Sequence, residues 1–81
     1  PRTAIGQIDT LHYAVIVADG RQEGYSVGMT LPELQDVFLP LGAKTALNLD
    51  GGGSTEMWFN GQIINRPSGG TERKISDIIC F

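Results

Sequence analysis

The 81-residue sequence holds a single cysteine, Cys80, and a single histidine, His12. One cysteine builds no internal disulfide framework, and one Cys with one His builds no Cys/His zinc site. Long apolar runs are missing too. The longest, Tyr13 to Ala18, is far short of a bilayer span, and no signal-peptide pattern is present. Positive charge is scarce: 6 Lys and Arg against 9 Asp and Glu leave a net −3. Those cations are scattered, whereas a duplex nucleic-acid binder would cluster them.

What remains fits one small globular domain. The chain is 41% apolar and 19% charged, enough core-forming residues and too little charge for a disordered tail. Glycine is the excess, 11 of 81 residues, against about 7% on average. With only 4 prolines beside them, these glycines read as turns and sites of close backbone approach rather than low complexity.

Patterning gives an order of elements. Thr3–Ile8 and His12–Ala18 read as strands, the second so continuously apolar that both its faces should be covered. Asp19-Gly20 ends it in a turn. Leu34, Val37, Phe38 and Leu41 then fall on one face of a helix. Thr30 and Glu33 have the spacing of a capping box, Pro32 fits the first turn, and Pro40 with Gly42 closes the helix. Lys44–Asp50 alternates as a strand. Asn60-Gly61 joins Thr55–Phe59 to Gln62–Asn65 as a hairpin, and Ile75–Phe81 is expected to end the chain as a buried strand. The sum is an α+β fold, one helix packed on a twisted mixed β-sheet.

Chemistry concentrates in Asn48-Leu49-Asp50-Gly51-Gly52-Gly53-Ser54. Residues i and i+2 of a strand share a face, which would put Asn48 and Asp50 side by side, roughly 7 Å apart. Gly51, Gly52 and Gly53 could turn successive N–H groups inward as an anion nest, with no Cβ in the way. The plainer reading is a tight turn capped by Asp50. Ser54 lacks the glycine two positions on that a nucleophile elbow needs, and the triplet lacks a P-loop ending. Arg66 and Arg73, on the polar loop from Asn65 through Ser68 to Glu72, could grip phosphate oxygens or simply face solvent. Asp19 and Asp50 each end a strand. Were those strands neighbours, the two carboxylates would meet at one rim, as in glycoside hydrolysis. Trp58 could stack on a sugar or belong to the core.

Taken together, Pro1-Arg2-Thr3-Ala4-Ile5-Gly6, Asp19-Gly20-Arg21, Gly28-Met29-Thr30-Leu31 with Glu33-Leu34, Asn48 to Ser54, and Asn65-Arg66-Pro67-Ser68 with Glu72-Arg73 closely resemble the phosphodiester glycosidase domain. The chain resembles the C-terminal half of that domain, so the resemblance implies a complementing N-terminal half or a homo-oligomer. It implies an exported or envelope-associated protein acting on a sugar phosphate or glycan, with no cofactor, no metal and no membrane span. It gathers Arg2, Thr3, Asn48, Asp50, Gly51–Gly53, Asn65, Arg66 and Arg73 around one cleft. Asp50, Asn48 and Arg2 would be catalytic. Thr3, Asp19, Gly51, Gly52, Gly53, Ser54, Asn65, Arg66, Ser68, Glu72 and Arg73 would bind substrate. Two positions depart from the family pattern: Glu56 replaces a threonine and Gly69 an aspartate. The expected reaction is hydrolysis of the anomeric C–O bond of a sugar-1-phosphodiester. The alternatives are a non-catalytic carbohydrate- or phosphate-binding module, an incomplete fragment of the enzyme, and a P–O-cutting phosphodiesterase, for which metal ligands are too sparse.

Overall fold

The computed structural model describes all 81 residues. Strands β1 (Arg2–Asp9), β2 (His12–Ala18) and β3 (Thr45–Asn48) form one sheet in the order β2-β1-β3. Helix α1 (Leu31–Phe38) continues into a 3-10 turn over Leu39–Leu41, and β4 (Trp58–Phe59) with β5 (Gln62–Ile63) forms a separate two-stranded hairpin. The class is α+β, with one helix on the sheet; both ladders of the main sheet are antiparallel. No helix is long and apolar enough to cross a membrane.

Register decides which face is core. Ala4 pairs with Ile16 and Asn48, and Gly6 with Ala14 and Ala46, so these residues share the face that α1 covers. Ala4, Leu34 and Phe38 are its buried apolar centre, with Ala14, Ile16, Met29 and Ala43 packed around them. Phe38 lies so close to β1 that a Cβ on Gly6 would stand 2.6 Å from its ring. The helix therefore seats through Leu34 and Phe38, while Val37 and Leu41 of the expected four-residue stripe stay exposed. Its start follows the sequence reading. Thr30 Oγ1 accepts from the Glu33 N–H, and Glu33 Oε1 accepts from the Thr30 N–H. Gly42, at φ 78°, ends the 3-10 turn.

Three expectations are corrected. β2 is an edge strand without a fully buried residue: α1 packs on Ala14 and Ile16, and Val15 and Val17 line a groove on the other face, so its apolar run marks partial burial on both faces. β3 stops at Asn48 instead of reaching Asp50, because the glycine triplet begins to turn; beyond Asn48 the Leu49 N–H donates to the Thr3 carbonyl at 2.7 Å and the Gly52 N–H to the Pro1 carbonyl at 3.2 Å. Ile75–Phe81 is neither strand nor buried. Ile75, Ile79 and Phe81 have the spacing of one strand face, but no strand of either sheet pairs with the segment. The segment runs irregularly along the sheet face opposite the helix. The Asn60-Gly61 hairpin forms as expected, with both residues at positive φ, 51° and 80°, in the primed turn that matches strand twist.

Candidate functional site

Antiparallel pairing on both sides of β1 brings its first residues to the same rim as the ends of β2 and β3. Arg2 stands opposite Ala18, and Ala4 opposite Asn48. Asp19 and Asp50 thus share a rim, yet their strands are not neighbours. β1 lies between them, which separates the two chains by about 10 Å.

Asp19 is the tie of this rim. Its Oδ1 accepts from Asn65 Nδ2 at 3.0 Å, and its Oδ2 from the Tyr25 hydroxyl at 2.7 Å and the Arg66 N–H at 2.9 Å. Burial alone would raise its carboxyl, but the bonds from Asn65, Tyr25 and the Arg66 backbone outweigh it, and the pKa falls below 3.8. Donating to that carboxylate holds the Tyr25 phenol above its ordinary value. Asn65 is equally committed: its Oδ1 accepts from the Met57 N–H, and its Nδ2 also donates to the Thr55 carbonyl at 2.9 Å. Gln22 Nε2 donates to the Arg66 carbonyl at 2.7 Å, and the Arg66 guanidinium lies 4.6 Å from the centre of the Tyr25 ring. Asp19 and Asn65, expected against substrate, therefore spend these contacts within the protein. They fasten the loop of residues 65–73 to the rim.

The glycine triplet opens a tight 3-10 turn over Gly52–Ser54 and leaves the Gly51 and Gly53 N–H groups without a backbone acceptor. The N–H groups of Gly52, Ser54 and Thr55 donate to the carbonyls of Pro1, Gly51 and Gly52. The triplet's lack of side chains serves close approach. A Cβ on Gly51 would meet the Pro1 oxygen at 2.7 Å, one on Gly52 would meet Arg21 Nη1 at 3.2 Å, and one on Gly53 would meet Arg73 Nη1 at 3.3 Å. Thr55, 1% exposed, anchors the far end of the turn by accepting from Thr3 Oγ1 at 3.2 Å.

Asn48 and Asp50 part company here. Asn48 lines a groove on the helix side with Leu34 and Phe38. Asp50, past the end of β3, lines a groove of about 540 Å³ on the other face with Thr3, Ser54, Glu56 and Trp58. The expected side-by-side pair fails because the strand ends before its second member. Asp50 is exposed at the rim. Arg2 donates through Nε to the Met29 carbonyl at 3.1 Å, which ties β1 to the approach to α1. Ser68 sits in the turn closed by the Gly70 N–H on the Pro67 carbonyl. No three His, Cys, Asp or Glu side chains gather to hold a metal.

Glu72 lies close enough to act on Glu56, whose carboxyl is pushed up first by burial and then by that neighbour's charge. A raised folded-state pKa means the neutral form suits the fold, so stability is lost as pH rises through it. Glu56→Gln is therefore expected to raise the melting temperature at pH 7 and to change nothing well below 4.5, the ordinary glutamate value. Equal melting curves at both pH values would refute this.

Several rim residues escaped the reading of the sequence. Arg21 was visible only as part of the Asp19-Gly20-Arg21 block. Tyr25, Gln22 and Thr55 carry no local signal, since their partners lie 6 to 52 residues away.

Comparison with known proteins meets this geometry. A family model of the phosphodiester glycosidases matches residues 1–81, the whole chain. The chain belongs to the phosphodiester glycosidase family. Among curated relatives, the SPbeta prophage-derived uncharacterized protein YomE of Bacillus subtilis is 39% identical over 81 residues, which is 100% of this chain and 12% of that protein. Human N-acetylglucosamine-1-phosphodiester alpha-N-acetylglucosaminidase is 33% identical over 86 residues, covering 98% of this chain and 16% of the enzyme. The bovine enzyme of the same name is 30% identical over the same span. This phosphodiester glycosidase chain thus spans a small part of the length of the relatives it matches. No solved structure matches it significantly.

Proposed function

We propose that the chain carries the chemistry of a glycosidase that hydrolyses the anomeric C–O bond of a sugar-1-phosphodiester, of the N-acetylglucosamine type, releasing the sugar and a phosphomonoester. One observation carries the reading. Of the two rim carboxylates, Asp19 is held by three protein donors, whereas Asp50 is exposed, lines the larger groove, and abuts the glycine turn against which arginines lie.

The chemistry follows from the leaving group. A phosphomonoester is a weak base and needs little protonation as the bond breaks. Arginines that take up its growing charge would supply much of what a general acid supplies in other glycosidases. Asp50 would stabilise the oxocarbenium-like sugar or activate water. Trp58, 62% exposed in the same groove, offers a ring face to the sugar. The family relationship and the names of the mammalian relatives support this substrate class.

The test is hydrolysis of an N-acetylglucosamine-1-phosphodiester in ¹⁸O-water, with both products read by mass spectrometry. Label in the sugar is expected. Label in the phosphate would mean P–O cleavage and would sink the mechanism. Bound but uncleaved substrate would make the chain a binding module, the reading that Gly69, standing where the family has an aspartate, favours.

A further inference from the structure

We propose that Arg21 and Arg73 form a two-guanidinium clamp across Gly52-Gly53 that binds a phosphate group, whether free or within a diester. The assignment deepens the glycosidase reading and rests on it for the identity of the diester.

The sequence offered Arg66 and Arg73 of one loop as a phosphate grip or as solvated groups; the structure sets Arg21 beside Arg73 at the glycine turn. The Arg66 guanidinium lies on the Tyr25 ring, and Arg2 has its Nε on the Met29 carbonyl. Arg21 and Arg73 instead place Nη1 atoms 3.2 and 3.3 Å from the Cβ positions of consecutive glycines. Adjacent Cα atoms are about 3.8 Å apart, so both positive groups rest against one dipeptide. Neither donates a hydrogen bond to the protein, which leaves two planar forks of N–H donors without acceptors in an acidic chain. Such forks match phosphate oxygens two at a time.

The backbone adds an independent mark. Arg21 holds φ at 56°, a left-handed conformation that favours Gly or Asn and that a long side chain adopts only at a cost. Arginine there is not what the turn requires. That conformation carries its side chain to Gly52, itself left-handed at φ 57°. Any side chain at position 52 or 53 would push a guanidinium away. The glycine triplet, of whose N–H groups only that of Gly52 is spent, on the Pro1 carbonyl, thus also acts by what its missing side chains leave open.

The clamp has a consequence for the reaction. Cleavage at the anomeric carbon turns a monoanionic diester into a phosphomonoester of higher negative charge. Two fixed cations hold the product more tightly than the substrate, which favours bond breaking and makes the phosphomonoester an inhibitor.

The experiment titrates the ¹⁵N-labelled 81-residue chain first with inorganic phosphate and then with a diester of N-acetylglucosamine-1-phosphate, reading the Gly52 and Gly53 amides and the arginine Nε signals. Both ligands are expected to shift these signals. Arg21→Asn, which suits the left-handed backbone, and Arg73→Gln should each raise Kd about tenfold for both ligands, while Lys44→Gln on the helix side leaves Kd unchanged. An otherwise unchanged amide spectrum shows that each variant is folded. An equal loss in Lys44→Gln, or a loss in Arg66→Gln with none in Arg21→Asn, overturns the clamp, as does an absence of shifts at Gly52 and Gly53. Diester cleavage with KM unaltered by Arg21→Asn and Arg73→Gln removes the clamp and leaves the glycosidase reading standing. Clamp binding without C–O cleavage does the reverse.

Discussion

Asp19→Ala is expected to cost about 3 kcal/mol and to free the 65–73 loop from the sheet rim. A hydrogen bond to an ionised acceptor contributes roughly 1.5–3 kcal/mol. Asp19 accepts three, from Tyr25, Asn65 and the Arg66 N–H, but the site is partly open and the bonds share one carboxylate. Their sum is therefore well below three separate contributions. A chain of this size has about 4–12 kcal/mol in total, so the loss is a large share. Urea unfolding at pH 7 measures it. The pH dependence separates this account from simple packing loss. Because the folded-state pKa lies below 3.8, the contribution is present above that value and disappears as pH falls through the folded pKa. The gap between wild type and Asp19→Ala should therefore narrow below pH 3.8. A gap that stays constant into strong acid would show that the carboxylate's charge is not what ties the loop.

The second large effect lies under the helix. Phe38→Ala should destabilise by about 3–5 kcal/mol, the range for a buried phenylalanine, because Phe38 is one of three buried apolar residues in the core. Gly6→Ala should cost about 1–3 kcal/mol from the opposite direction, since its new Cβ would stand 2.6 Å from the Phe38 ring. The two positions dispute one space. In the double variant the added methyl enters the volume the ring has left, and the combined loss should fall below the sum by about 1–2 kcal/mol. A double-mutant cycle by denaturant unfolding reads the difference. Strict additivity would mean that the ring and the glycine do not meet.

These two predictions also mark what could be read in advance. The capping box at Thr30 and Glu33, and the turn at Asn60-Gly61, were legible because each is decided within a few residues. The glycine triplet was legible as a special place, read as an anion nest or a tight turn; the structure shows the turn, and it adds what the sequence did not, room for Arg21 and Arg73. The pairing of Asn48 with Asp50 failed on a boundary, since two residues' difference in where β3 ends sends them to opposite faces. Ile75–Phe81 failed because apolar content says nothing about a ladder partner, and neither sheet takes the segment up. The ties from Asp19 to Asn65 and Arg66 were illegible in principle, for no local pattern records a partner 46 or 47 residues away.

Those long ties set an order of assembly. β1 and β2 are joined by a two-residue turn and pair early at little entropic cost. The bonds at the rim instead close spans of 44 residues between Gln22 and Arg66, 46 between Asp19 and Asn65, and 52 between Thr3 and Thr55. Closing such spans yields no reward until the sheet already holds their ends in place. The rim is thus the last region of the chain to become ordered and the first to open, while the sheet beneath it keeps its pairing. In this protein the rim proposed to carry the chemistry and the lowest-energy opening coincide.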